Sequence, residues 1–438
     1  MITHSFPGKD IYSNKYFYIL ILITLLSVKP AASSWNDYSR MATIQSLVEQ
    51  HTFIIDNSDF VNTGDKVFIN GHYYSDKPVI SSIIGAIVYF PLYHVGLELG
   101  KGFNVAHFLI VLIVMKTFWL AGLIAFYRSL QIMRVSESTS LFLVFALGFG
   151  SLYFTWSTTF NNHLMAASCL IIGYLNIIKS NYTEPIIKHY FYAGFFFALA
   201  SCIDHATTVF FIGFFVYLYL KYPANRLSLV YYITPSAFTF LPVLLINYYI
   251  SGQFLPFQIV PSFFDYEGSS WSNKGNLTGT KINEFTFMLE YGFKMLFGKS
   301  GFIIYNPFLV IGIPCLLAEI IKSREYKHEA ITISICSLVI VLYYIATSSN
   351  YSGWSYSIRW FIPLLPFLFI FIFRYMQSSQ QTILTYTLLP LLILSCLISI
   401  VGVIEPWSEL EHTKVPILAN ITDLIELIGE LNALLFEK

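Results

Sequence analysis

Long runs of apolar residues separated by short polar segments dominate the sequence. The first run, residues 16–28, is similar to the core of a signal peptide, but no clear cleavage site follows it, which predicts a retained first helix. A bilayer crossing needs about 20 apolar residues, and ten later runs approach or reach that length. They fall at residues 104–127, 139–157, 164–179, 189–202, 206–221, 228–250, 301–321, 329–347, 360–375 and 383–404. The pattern predicts an all-α polytopic membrane protein with eleven crossings.

Residues 79–97 form a further apolar run, which Pro91 interrupts. Cytoplasmic loops are enriched in lysine and arginine, and basic residues occupy every second short connection of this chain. These residues are Arg128 and Arg134, Lys179 and Lys188, Lys221 and Arg226, Lys322, Arg324 and Lys327, and Arg374. All of them can be cytoplasmic together only if residues 79–97 do not cross. We therefore expect a juxtamembrane or shallow re-entrant helix there; a simple crossing is the alternative.

The alternation of basic and non-basic connections predicts the domain organisation. Residues 1–404 form one transmembrane domain, with external loops at 29–103 and 251–300. Residues 405–438 form an external tail with an amphipathic helix, to which we assign no chemistry. The polar corners Asn161-Asn162-His163 and Asp204-His205 open onto the same external face. Polar loops that converge at one rim suit a site for substrates embedded in the membrane.

Composition and charge exclude two other classes of protein. Hydrophobic residues make up 56% of the chain and charged residues 11%, too little charge for a soluble protein of this size. The formal net charge of +0 argues against a nucleic-acid-binding protein. The five cysteines stand singly in apolar runs, so we expect neither a disulfide framework nor a zinc site.

The loop at residues 29–103 carries two features that suggest chemistry. Residues 35–50 have apolar residues at helical spacing, which predicts a short helix on the membrane surface with an exposed, ionised Asp37 near its start. For Asp37 a helix cap without chemistry is the alternative. Asn70-Gly71, between two runs rich in β-branched and aromatic residues, predicts a type I′ hairpin. After the hairpin, Pro78 is expected at the first helical position, with a Ser or Asp cap before it. Lys77 would then lie at a helix N-terminus, where an ammonium and free N–H groups make an anion site; a lysine at the membrane interface is the alternative.

A second cationic residue, Arg359, stands among aromatic residues in the segment NYSGWSYSIRWFIP. An arginine can bind a phosphate through two hydrogen bonds while neighbouring rings stack on a sugar; an aromatic belt at the interface is the alternative. The acidic residues Asp56, Asp59, Asp65 and Asp76 lack calcium-loop spacing, so we expect a solvated acidic loop and no metal site. Lys116 lies inside an apolar run without an evident partner.

Three segments together resemble the bacterial C-type glycosyltransferases, relatives of the protein O-mannosyltransferases and the lipid A aminoarabinose transferases. They are NDYSR…LVEQHTFIID, DKVFINGHYYSDKP and YSGWSYSIRWFIPLLPFL. The similarity is close in the first loop, clear over residues 348–368 and limited to hydropathy elsewhere. The resemblance implies an inverting enzyme that uses a polyprenyl-phosphate sugar on the extracytoplasmic face of the membrane, here the bacterial inner membrane.

The resemblance also implies roles for individual residues. Asp37 matches the general base, and Lys77 and Arg359 match the residues that contact the donor phosphate. Apart from the resemblance, we expect further substrate contacts from Arg40, Tyr74, Asp76, His163, Trp354 and Tyr356; for His163, a rim residue with satisfied hydrogen bonds is the alternative. The expected partners are the lipid-linked donor, a lipid, glycan or protein acceptor and the bilayer, with no nucleic acid and no cofactor. A transporter or flippase of lipid-linked sugars, a glycan polymerase or ligase, and a non-catalytic scaffold are the alternatives.

Overall fold

A computed structural model of the protein describes residues 22–182, 186–222, 227–271, 285–379, 381–408 and 415–436. Helices account for most of these residues, as the apolar pattern predicts. Within these ranges, six helical segments are long and apolar enough to cross a membrane: Val105–Ile132, Asn162–Asn181, Leu227–Ser251, Lys327–Thr347, Arg359–Ser378 and Tyr386–Ile404. The shorter apolar helices of the described part are Val79–His94, Glu137–Phe149, Ile187–Ile203, His205–Lys221 and Leu309–Ile321. The prediction of an all-α polytopic membrane protein is confirmed.

The elements follow one another along the chain in a simple order. The first loop contains α1 (Trp35–Glu49), the strands β1 (Lys66–Ile69) and β2 (His72–Ser75), and α2 (Val79–His94). The remaining helices are α3 (Val105–Ile132), α4 (Glu137–Phe149), α5 (Leu152–Thr155), α6 (Asn162–Tyr182), α7 (Ile186–Ile203), α8 (Thr208–Lys221), α9 (Val230–Ile233), α10 (Ala237–Ser251), α11 (Phe285–Phe297), α12 (Leu309–Ile321), α13 (Lys327–Thr347), α14 (Leu365–Ile370), α15 (Phe373–Ser378), α16 (Gln381–Ile404) and α17 (Pro416–Phe436). A 3-10 turn, Arg359–Leu364, leads into α14.

Helix α6 lies at the centre of the bundle, between α3 and α7. In its most apolar stretch 89% of the residues are buried, against 22% in α16. The outer helices expose large apolar side chains such as Leu241 and Leu245 on α10 and Leu397 and Ile400 on α16. Exposed apolar surface of this extent is unfavourable in water. The exterior of the bundle therefore fits the hydrocarbon of a bilayer.

Two predicted spans differ from the helices found. The run at 139–157 breaks at Gly150, because the Ser151 hydroxyl donates to the Leu147 carbonyl (2.7 Å) and accepts from the Tyr153 amide (3.1 Å). The run at 301–321 becomes helical only from Leu309. Before it, the Asn306 side chain accepts a hydrogen bond from the Leu152 amide (2.9 Å) and so ties the two breaks together. Polar side chains thus interrupt the apolar run at both places, by a local cap at Ser151 and by a long-range hydrogen bond at Asn306.

The hairpin of the first loop is confirmed. Strands β1 and β2 pair antiparallel, with Ile69 opposite His72. Asn70 and Gly71 both have positive φ, 53° and 88°, which a type I′ turn requires at its two central residues. Strand β2 follows the turn, and Asp76 and Lys77 come directly after the end of β2.

Helix α1 begins after Ser34, whose hydroxyl accepts a hydrogen bond from the Asp37 amide (3.1 Å). The predicted position on the membrane surface is wrong, because α1 is buried in the protein on its polar as well as its apolar face. It packs against α2, where Gly85 lets the chain approach closely: a Cβ there would lie 2.4 Å from Ile44 Cδ1. This burial brings Asp37 into the interior.

Helix α2 starts one residue later than the sequence predicts. Pro78 is the N-cap residue, without a side-chain cap, and Val79 is the first helical residue. Lys77 immediately precedes this cap, and its amide donates to the Ser75 hydroxyl (3.1 Å). With 16 residues, α2 is about 24 Å long, short of the roughly 30 Å hydrocarbon core. That α2 does not cross stays a prediction, as do the domain boundaries.

Lys116, within α3, has partners that the sequence did not reveal. Its ammonium donates to the hydroxyls of Ser27 (3.0 Å) and Ser157 (2.8 Å), and it lies over the ring of Phe154. The five cysteines are all free, as expected. The hydroxyls that surround Lys116 give it a structural explanation, and it carries no support for a transporter.

Candidate active site

Asp37 occupies the third position of α1 and is fully buried. Its carboxylate accepts a hydrogen bond from the Ser33 amide (3.3 Å). The hydroxyl of Thr159 lies 3.2 Å from each of its oxygens. Thr159 in turn accepts from the indole N–H of Trp407 (2.9 Å). The expectation of an exposed carboxylate at this position is wrong, since segments 120 and 370 residues further along the chain cover it.

Burial changes the protonation of this carboxyl group. It raises the pKa of Asp37 to about 7, while the hydrogen bond from Ser33, the charge of Arg40 and the hydrogen bond from Thr159 act in the opposite direction. A carboxylate with a pKa close to the operating pH can take up and release a proton in each turnover. The site therefore holds a group suited to general base catalysis.

Lys77 lies next to two acidic residues. Its ammonium is 2.8 Å from Asp65 Oδ2 and 3.0 Å from Asp76 Oδ2. Both carboxyl groups are buried, so the expectation of a solvated acidic loop is wrong for Asp65 and Asp76. Burial acts to raise the pKa of Asp65, but the charges of Lys77, Arg359 and Arg40 hold it below its ordinary value. Burial raises the pKa of Asp76, so the two carboxyl groups around Lys77 differ in their readiness to ionise.

Arg40 lies one turn after Asp37 and is almost completely buried. Its guanidinium donates to the carbonyl of Asn36 (3.0 Å) and to the side chain of the same residue, and to Asn162 Oδ1 (2.5 Å). Its Nε atom is buried and has no hydrogen-bond partner among the described residues. Buried donors without a partner are rare in proteins and need an explanation.

Arg359, at the start of the 3-10 turn before α14, is arranged similarly. Its guanidinium donates to the carbonyl oxygens of Ser352 and Trp354 and lies 5.0 Å from the centre of the Trp407 ring. Its Nε atom is also buried without a partner in the described part of the chain. The charge of Arg359 acts on Asp65, Arg40 and Asp37. Two guanidinium groups with an unused N–H therefore lie within electrostatic range of Asp37.

The other residues singled out in the sequence lie in different settings. His163 is buried and bonded to Asp204, next to Asn162. Trp354 is 52% exposed, and its ring stacks on Trp35. Tyr74 is buried against Phe257 in a separate apolar cluster under the hairpin. Tyr356 is fully buried, with its hydroxyl donating to the Ile398 carbonyl (2.7 Å), so the structure does not bring Tyr74 and Tyr356 together with Asp37.

Several residues at this site carry no signal in the sequence. Thr159 lies just before the polar corner Asn161-Asn162-His163. Glu405 and Trp407 belong to the segment after the last span, in which no pattern indicates chemistry. Glu405 accepts hydrogen bonds from the Ser33 hydroxyl (3.3 Å) and the Trp407 amide (3.1 Å), and its charge acts on Asp37. Only contacts between distant segments reveal these roles.

The arrangement combines one proton acceptor with several anion-binding donors. Among the described residues there is no group of three or more His, Cys, Asp or Glu residues placed to hold a metal ion. Arg40 and Arg359 supply cationic N–H groups within electrostatic range of Asp37, and Lys77 lies against Asp65, on which both arginines also act. Such a set can bind a phosphate ester and remove a proton from a hydroxyl group close to it.

Two solved structures share this fold. The crystal structure of ArnT from Cupriavidus metallidurans bound to undecaprenyl phosphate matches with a TM-score of 0.60 at 12% identity, over 96% of this chain and 71% of that chain. The apo state of the same protein matches with a TM-score of 0.58 at 11% identity, over 95% and 70%. No family model and no curated protein matches the sequence. ArnT, a lipid A aminoarabinose transferase, has the C-type glycosyltransferase fold, and this chain shares that fold.

Proposed function

We propose that this chain is an inverting glycosyltransferase. It moves a sugar from a polyprenyl-phosphate-linked donor to an acceptor hydroxyl at the external face of the membrane. One observation carries the proposal: the buried carboxylate of Asp37 lies within electrostatic range of two guanidinium groups, those of Arg40 and Arg359. ArnT, which shares the fold, binds undecaprenyl phosphate, and a lipid phosphate is the anion that these donors fit.

The reaction is a single displacement. Asp37 accepts the proton of the acceptor hydroxyl as its oxygen forms a bond to the anomeric carbon. The bond from that carbon to the phosphate oxygen breaks, and its electron pair stays on the departing polyprenyl phosphate. Arg359 and Lys77 stabilise the charge that develops there. A unit charge at about 4 Å contributes roughly 4 kcal/mol at an effective dielectric constant near 20, so two cations supply a substantial part of the acceleration.

A donor panel tests this function directly. Membranes containing the full chain are incubated with radiolabelled undecaprenyl-phosphate-linked mannose, glucose and aminoarabinose, and transfer to endogenous acceptors is measured. We expect at least one donor to label a lipid, glycan or protein fraction, and we expect the Asp37→Asn variant to show no labelling. Equal labelling by the wild type and by Asp37→Asn would contradict the proposal.

Thr159→Val is expected to shift the pH dependence of transfer. Asp37 must be ionised to act as the base, so kcat/KM of the wild type should fall as the pH drops below about 7. The hydrogen bond from Thr159 lowers the pKa of Asp37. Loss of this hydrogen bond should raise the pKa of Asp37. The acidic limb of the pH profile of kcat/KM should then move to higher pH by about one unit, an ordinary size for one hydrogen bond.

Thr159→Ser is the matched control, because it keeps the hydroxyl that contacts Asp37. Its pH profile should overlay that of the wild type. The loss in Thr159→Val should largely recover at pH 9, which a general packing defect would not produce. Identical pH profiles for the wild type and Thr159→Val would refute the role of this hydroxyl.

A further inference from the structure

A buried histidine and aspartate form a second polar pair beside the proposed active site. His163, at the start of α6, places Nδ1 2.7 Å from Asp204 Oδ2. Asp204 follows the end of α7, and its backbone carbonyl accepts hydrogen bonds from the amide and hydroxyl of Thr207, so its position is fixed by the turn into α8. The two side chains are only 8% and 6% exposed. The fold therefore holds His163 and Asp204 together in a fixed, buried pair.

The pairing determines how the imidazole can act. A carboxylate on one ring nitrogen fixes the proton there in the neutral ring and leaves the other nitrogen as a hydrogen-bond acceptor. Nε2 has no hydrogen bond to any residue of the described part of the chain, and it is not among the fully buried polar atoms without a partner. Nε2 is thus the part of His163 that remains open to a ligand.

The surroundings of His163 connect it with the phosphate-binding donors. The preceding residue, Asn162, accepts the hydrogen bond from Arg40. The charges of both Arg359 and Arg40 act on the imidazole. When the ring is neutral, Nε2 carries a lone pair in a region that is otherwise rich in hydrogen-bond donors. A sugar hydroxyl, which can donate to such an acceptor, fits this position.

We propose that His163, oriented by Asp204, accepts a hydrogen bond from a hydroxyl of the donor sugar and contributes to the choice of sugar. The inference rests on the proposed function and deepens it, because it places a sugar-binding contact next to the phosphate-binding residues. Asp204 is then a positioning residue. A site that hydrogen-bonds a substrate hydroxyl discriminates strongly against ligands that lack it.

Two substitutions of His163 separate the orienting bond from the ligand contact. His163→Asn keeps an amide donor near the position of Nδ1, for Asp204, and removes the acceptor at Nε2. His163→Gln places an amide oxygen near the position of Nε2 and loses the bond to Asp204. The full-length variants are compared by affinity for undecaprenyl phosphate without a sugar and for undecaprenyl-phosphate-linked mannose, glucose and aminoarabinose.

We expect the wild type to bind at least one sugar-linked lipid more tightly than undecaprenyl phosphate. His163→Asn should weaken that binding about 10-fold, a hydrogen bond's usual contribution, and leave the affinity for undecaprenyl phosphate unchanged. His163→Gln should recover part of the loss. Equal weakening for lipids with and without a sugar, or no weakening in His163→Asn, would overturn the inference. Failure of the wild type to bind any of these lipids would instead contradict the proposed function itself.

Discussion

Asp37→Asn is expected to reduce sugar transfer about 1000-fold, within the range for loss of a general base. The amide cannot accept the proton of the acceptor hydroxyl, but its oxygen can still accept the hydrogen bonds from Ser33 and Thr159. Binding of undecaprenyl phosphate should be retained, because the cationic donors are unchanged. The measurement is the initial rate of transfer from the active donor at pH 8, where the wild-type carboxyl group is mostly ionised.

The same substitution should not harm folding. The pKa of Asp37 is raised from 3.8 to about 7 in the folded protein, so this group stabilises the fold below about pH 4, and that contribution is lost as the pH rises to 7. Asn carries no charge at any pH. The apparent Tm of Asp37→Asn at pH 8 should therefore equal or exceed that of the wild type.

Asp59→Asn is the matched control for Asp37→Asn. Asp59 belongs to the same loop, is exposed, and accepts a hydrogen bond from the Gln45 side chain (3.0 Å) that an amide oxygen can also accept. Its transfer rate should stay within about two-fold of the wild type, as is usual for exposed positions. Full activity of Asp37→Asn would exclude Asp37 as the base, whatever the result for Asp59→Asn.

The parts of this structure that the sequence predicts are those set by local physics. Apolar length predicts the membrane-spanning helices, because backbone groups must pair within the segment in a bilayer. Asn70-Gly71 predicts the hairpin, because both residues tolerate positive φ. The resemblance to the C-type glycosyltransferases points to Asp37, Lys77 and Arg359. In the structure the charge of Arg359 acts on Asp37, and the charges of Lys77 and Arg359 both act on Asp65.

The parts that the sequence did not predict depend on contacts between distant segments. From the sequence, Asp37 is expected to be an exposed acid at a helix terminus. In the structure Thr159 contacts its carboxylate and Trp407 contacts Thr159. Asp65 and Asp76 are the exception: both lie in the same loop as Lys77, and only the fold of that loop brings both carboxyl groups to its ammonium. No periodic pattern marks Trp407, which lies just after the last span. Polar residues in short corners have no signature of their own, because their role comes from partners hundreds of residues away.

The pairing around Lys77 also decides which cation is the better probe of the donor phosphate. Removal of Lys77 would take away the ammonium that lies between two buried carboxyl groups, and broken buried ion pairs of this kind cost about 3–5 kcal/mol. A loss of activity in Lys77→Ala would then mix folding with binding. Arg359 donates to the backbone carbonyls of Ser352 and Trp354, and neither is a buried charge, so its removal reports on the ligand more directly.

Arg359→Ala is expected to lower kcat/KM for the lipid-linked donor about 100-fold, the usual cost of one electrostatic donor to developing charge. Arg359→Lys keeps the charge but lacks the unused Nε–H group, so its loss should be intermediate. Lys294→Ala, which removes an exposed cation from α11, should leave donor use unchanged. The measurements are donor kinetics and the Kd for undecaprenyl phosphate. If Arg359→Ala and Arg359→Lys both keep the wild-type Kd and kcat/KM, Arg359 does not contact the phosphate.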